Sequence, residues 1–222
     1  ALQLKAVSMS FGVVLAKDHD ALASTLTPDN MAFAVTLVLA AFAVLFGTRH
    51  IEATEHHAGM VVAIAAESVV KVVAFLAVGA FVVWGLYDGF GDIFARAAAD
   101  PEIARLVSME KSAGNWATLT LLSMAAIICL PRQFHVAVVE NTNETHLNRA
   151  LRLFPQYLFV INIFVLPIAL GGLMWLPKGS VDADTFVLAL PLAENQALLT
   201  LVVLVGGLSA AAAMVIVETI AL

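Results

Sequence analysis

Residues 58–87 run from Ala58 to Tyr87 with only two formal charges, Glu67 and Lys71. Few folds accommodate such a stretch, because about 20 apolar residues already cross a bilayer and a surplus is taken up by tilt. Glu67 and Lys71 are four positions apart, so on a helix they share one face, the acid one turn before the base, which is the favourable order. A charge near bilayer mid-depth costs roughly 2.5–3.5 kcal/mol on insertion scales, so such residues face protein or a water-filled path. Two readings follow: a pair on a solute or ion pathway, or a self-neutralising pair that pins the helix to its neighbours.

Other runs repeat the pattern. Residues 31–47, 113–131, 153–177 and 197–217 carry no formal charge, and residues 1–16 carry only Lys5. The chain is 61% hydrophobic and 13% charged, against about 45–50% and 25% for a soluble domain. The expected fold class is therefore all-α, a polytopic membrane helix bundle lying in the lipid bilayer, with helices at about 1–16, 31–47, 58–87, 113–139, 153–177 and 196–222. With Ala1 and Leu222 both falling in mid-helix, 1–222 is expected to be a fragment of one transmembrane domain. The net charge of −6 supplies no basic stripe for nucleic acid. Cys129 is the single cysteine, in an apolar run, and reads as a packing residue.

Alternating loops set the orientation. Residues 48–57 and 132–152 hold Arg49, Arg132, Arg149 and Arg152 in short segments, whereas 17–30, 88–112 and 178–196 spread Lys17, Arg96, Arg105, Lys111 and Lys178 over longer ones. Cation density places the first set in the cytoplasm, in a multi-pass protein. Ile93, Phe94, Ala97, Ala98, Ile103, Leu106 and Val107 recur at helical spacing, predicting an amphipathic surface helix interrupted at Pro101. Trp84, Tyr87, Trp116 and Trp175 fall near span ends, as interfacial aromatics do.

Two spans carry proline. Pro167, near Asn162, removes a backbone bond inside 153–177 and frees the carbonyl of Ile163, either as a packing kink or as a functional break. Pro131-Arg132-Gln133-Phe134-His135 either ends a helix at the cytoplasmic face or breaks one that continues to about Asn141. Arg132 and His135 fit an inner vestibule or simple interfacial anchoring. In the last span, Gly206, Gly207, Ser209 and Ala210–Ala213 predict close helix packing, and Glu218 is a third intramembrane acid. His50, Glu52, Glu55, His56 and His57 crowd one loop, but their spacing matches no zinc pattern, so no metal or other cofactor is expected in this segment. No phosphate loop, nucleophile elbow or kinase motif occurs, and no catalytic residue is assigned.

The strings FGTRHIEATEHHAGMVVAIAAESVVK (46–71), LPRQFHVAVVENTN (130–143) and GGLSAAAAMVIVETIAL (206–222) resemble the solute:sodium symporter family, which includes sodium/proline permeases. More narrowly, they resemble the branch in which the symporter-like domain is joined to a sensor histidine kinase. The resemblance runs over the whole chain and implies a LeuT-like inverted-repeat fold, with this segment corresponding to the fourth to ninth helices. It places Glu67 where ordinary symporters have the Asp of a Thr-Asp pair associated with sodium transit, Ala66 replacing the Thr, and matches Gln133 to a Gln at the inner part of the seventh helix. Where ordinary members carry adjacent hydroxyl ligands for sodium in the ninth helix, this chain has Val215 and Ile216, and alkyl groups cannot replace hard oxygen ligands. The expected function is a transporter-like sensory input domain of two-component signal transduction, binding a small solute such as an amino acid and biasing a cytoplasmic kinase module in the same chain. The alternative is a free-standing sodium-coupled symporter. The pathway residues on either reading are Glu67, Lys71, Gln133, His135, Asn162 and Glu218.

Overall fold

The computed structural model describes residues 2–15, 33–34, 36–38, 41, 58–107, 113–130, 134, 138, 141, 143–177, 179 and 181–221. Among them all regular structure is helical. Helix α1 spans Leu2–Leu15 and α2 spans Ala58–Phe81, continued by a π-turn at Val82–Leu86. Two short helices follow, α3 (Phe90–Ala99) and α4 (Pro101–Val107), then α5 (Ala113–Cys129) and the long α6 (Glu144–Trp175). A 3-10 turn at Ala183–Thr185 leads into α7 (Phe186–Ala193), and α8 covers Ala197–Ala221. The expected span 31–47 and the loop 48–57 lie almost wholly outside the described residues.

Local chemistry sets several boundaries. Tyr87 N–H donates to the Val82 carbonyl at 3.2 Å, the five-residue step of a π-turn, and Gly89 then takes φ 106°, where a side chain would be strained. Asp100 separates α3 from α4: its Oδ1 accepts from the N–H of Glu102 at 2.9 Å and of Ile103 at 3.3 Å, with Pro101 in the first helical position. The expected interruption at Pro101 is thus a capped break. The expected apolar face divides, with Ile93, Ala97 and Ile103 buried and Phe94, Leu106 and Val107 exposed.

α6 begins well before the expected Leu153, because Asn143 caps it, its Oδ1 accepting from the N–H of Thr145 at 2.9 Å. It also runs through Pro155 and Pro167 without ending, so neither proline divides the helix. Pro167 is fully buried. α5 ends at Cys129, and most of the rest of the expected stretch to 139 lies outside the described residues; Phe134 N–H donates to the Leu130 carbonyl at 3.0 Å. The larger departure is 178–196, read as a loop between two uncharged runs. It holds α7, whose Phe186, Leu188, Ala189, Leu190 and Pro191 are buried.

The core forms where the C-terminal half of α2, the same half of α6, and α7 meet. Val78, Val82, Val83, Ile168, Leu170, Phe186 and Leu190 make one cluster, closed at its end by Ile93, Ala97 and Ile103. α8 lies along α2 and also touches α7 and α1. The described side chains of α5 are exposed or half-buried, and those of the first half of α6 are exposed. Segments Ala65–Leu86 and Thr145–Trp175 are long and apolar enough to cross a membrane. About 28% of each apolar window is buried inside the structure, so most of this surface faces outward, with Phe159 71% exposed. Apolar surface on that scale calls for lipid or further protein.

Close approach depends on glycines at two contacts. A β-carbon at Gly172 would clash with the Phe186 ring, and one at Gly79 would strike Phe164. At Gly207, an added β-carbon meets nothing within 4 Å. Gly172→Ala should therefore destabilise the fold by about 1–3 kcal/mol through overpacking. Gly207→Ala should be neutral or stabilising by up to about 1 kcal/mol, since alanine is the better helix former. Thermal unfolding of both variants checks this, and an equal response would contradict the packing.

The end of the core carries a polar lock. Arg96 Nε donates to Asp92 Oδ1 at 2.8 Å, and its guanidinium lies 5.4 Å from the Tyr87 ring centre. The Tyr87 hydroxyl donates to the Gly171 carbonyl at 3.2 Å. The Arg96 hydrogen bond holds the Asp92 carboxyl below its ordinary value. A carboxyl depressed in the folded state contributes stability above its unfolded pKa of about 3.9 and loses it as pH falls through the lower folded value. Hydrogen-exchange protection of α3, taken relative to intrinsic exchange at each pH, should therefore fall below about pH 4. Asp92→Asn should remove that acid-dependent step.

Candidate functional site

Glu67 and Lys71 face the interior of the bundle from one side of α2. Glu67 is 7% exposed, Lys71 is 30% exposed, and Nζ lies 2.7 Å from Oε1. No well-aligned hydrogen bond reaches Oε1, so the contact is ionic, made by proximity rather than by a directed N–H. α8 comes closest at this level: a β-carbon at Gly206 would lie 3.4 Å from Ala74 Cβ and 4.0 Å from Lys71 Cα. The small residues expected to promote packing thus act through Gly206, while Gly207 turns away.

Beside the pair lies a cavity of about 350 Å³, bounded by α1, α2, α6, the 3-10 turn with α7, and α8. Ser10, Lys71, Phe75, Tyr157, Asp184 and Gly206 are among its lining residues. Glu67 does not line it, and stands behind Lys71 as the ammonium's counter-charge. Lys71 thus lines the cavity while its ammonium is held against a buried carboxylate. An ammonium at such a position can hold an anionic group by a charge-assisted hydrogen bond.

The remaining sequence candidates fare differently. Asn162 neighbours the lining residue Ile161, but it is exposed, and its Nδ2 donates to the Leu158 carbonyl at 2.7 Å. One of its amide N–H groups is therefore committed to its own helix, and Asn162 is not among the residues lining the cavity. Glu218 sits in the last turn of α8, with its side chain outside the described set, as are Gln133 and His135. The histidine-rich loop 48–57 is likewise outside. Among the described residues no group of three His, Cys, Asp or Glu side chains is arranged to hold a metal.

Sequence reasoning missed Asp184, Thr185 and Tyr157. Asp184 looked like one more acid in a solvated loop. The available signal was the apolar string Phe186–Ala193, too short to span a bilayer but long enough to bury two helical turns and bring Asp184 to the cavity rim.

Breaking the pair tests its coupling. Glu67→Gln or Lys71→Met alone should cost roughly 2–4 kcal/mol, because each strands its partner away from water. The double change should cost less than the sum by about 0.5–3 kcal/mol. Additive costs in a thermal-unfolding cycle would show two independent residues. Against known proteins, no family model, no curated protein and no solved structure matches this chain.

Proposed function

We propose that this chain is a transporter-like transmembrane input domain of a sensor histidine kinase, which binds a small solute such as an amino acid and biases a cytoplasmic kinase module. The observation that carries the reading is the Glu67–Lys71 ion pair, set in an apolar helix and turned toward a cavity of solute size. An apolar helix retains charge at a cost, and a pair at the edge of a cavity has a use that a pair in solid packing lacks. The likeness of 46–71, 130–143 and 206–222 to the symporter-like domains of such kinases supports the signalling role. On this reading the chain takes the LeuT-like fold, the Arg-bearing loops face the cytoplasm of a multi-pass inner-membrane protein, and Gln133, His135 and Glu218 belong to the inner part of the pathway.

The second reading is a free-standing sodium-coupled symporter, favoured by the same cavity between helices long enough to cross a membrane. Val215 and Ile216 weigh against sodium, since neither side chain offers an oxygen. Autophosphorylation of the full-length protein in proteoliposomes should change with amino-acid solute on the outer side, and should change little when choline replaces sodium at fixed pH. Uptake with a steep, saturable sodium dependence and no change in phosphorylation would establish the symporter instead.

A further inference from the structure

The cavity beside Lys71 carries two opposite charges from two different parts of the chain. Lys71 comes from the middle of α2, and Asp184 from the 3-10 turn ahead of α7. Asp184 is exposed, and its carboxylate has no ion-pair partner among the described residues. Phe75, Ile161, Val203 and Leu204 line the same cavity with apolar surface.

We propose that this cavity is a binding site for a small zwitterion with an apolar body, its carboxylate taken by Lys71 and its ammonium by Asp184. The inference rests on the solute-binding half of the function proposed above and deepens it. Charge complementarity selects the class. A simple carboxylate would meet Lys71 but be repelled by Asp184, and a simple amine would meet Asp184 but be repelled by Lys71. A molecule bearing both charges satisfies both ends and leaves the net charge of the cavity unchanged. Lys71 can serve because an ammonium has three donors, one side of it faces Glu67, and 30% of the side chain remains exposed. The wall residues then favour an aliphatic or aromatic body over a strongly polar one. A volume of about 350 Å³ accommodates a solute of that size.

The test uses the full-length chain in lipid nanodiscs and calorimetric binding of the zwitterions alanine, valine, leucine and phenylalanine. Two leucine isosteres complete the set: isocaproate, which lacks the ammonium, and isoamylamine, which lacks the carboxylate. At least one zwitterion should bind, and each isostere should bind more weakly than leucine by roughly ten- to a hundredfold, the worth of one charged hydrogen bond. Asp184→Asn, a change at an exposed side chain, should weaken the zwitterion by a similar factor and leave isocaproate unchanged or tighter. Lys71→Met in a Glu67→Gln background, which strands no charge, should weaken leucine and leave isoamylamine unchanged or tighter. Failure of every zwitterion to bind, isosteres binding as tightly as leucine, or Asp184→Asn without effect would each overturn the site. Kinase activity is read separately: a solute that alters phosphorylation in both wild type and Asp184→Asn refutes this cavity but not the sensor role. Asp184-dependent binding with no effect on phosphorylation refutes the sensor role but not the cavity.

Discussion

An acid buried in an apolar helix dictates much of what surrounds it. Glu67 has almost no access to solvent, and Lys71 one turn later is the counter-charge within reach. The pairing neutralises the site at the level of the sequence itself, before any tertiary contact forms, because residues four apart on a helix are neighbours by geometry. The ammonium is then free to serve a second partner only if the neighbouring helices leave space on its other side. They do: α8 touches α2 at Gly206 beside Ala74, and the cavity opens next to that contact.

The rest of the bundle is organised to let helices come close at chosen points. Gly79 receives Phe164 from α6, while Gly171 and Gly172 receive Val82 and Phe186. Large side chains seated on glycine backbones lock α2, α6 and α7 into one register. Where helices lie in lipid, water drives no apolar association, and fitted packing of this kind takes over from the hydrophobic effect. Trp175 adds a polar tie at the same end, its Nε1 donating to Glu194 Oε1 at 2.8 Å.

The helical class and the pairing of Glu67 with Lys71 were legible in the sequence, for the same reason: each depends on local spacing. Apolar runs of span length and an i,i+4 charge pair need no knowledge of the tertiary fold. The N-terminus of α6 was also legible in principle, since Asn143-Glu144-Thr145 is a capping signal, but the start of the uncharged run drew attention to Leu153 instead. What could not be read was the inward course of α7. Asp182, Asp184 and Glu194 flank an apolar octet, and local composition does not say whether such an octet covers a surface or fills a core. Asp184 joins Lys71 only through contacts between residues more than a hundred positions apart in sequence, where spacing carries no information. Asn162 commits one amide N–H to the carbonyl four residues back, a local bond that sequence does not display.

α6 is an unbroken rod of 32 residues, about 48 Å long at 1.5 Å per residue. It is gripped off-centre, where Phe164 enters the notch at Gly79. A rod held off-centre is a lever with unequal arms: the arm toward Asn143 is about 30 Å and the arm toward Trp175 about 16 Å. A tilt of about 10° at the grip would swing the Asn143 end through about 5 Å and the Trp175 end through about 3 Å the other way. The long arm carries Arg149 and Arg152 on exposed surface, so a small rearrangement among Phe164, Gly172 and Phe186 is amplified into a displacement of fixed positive charges at the far end.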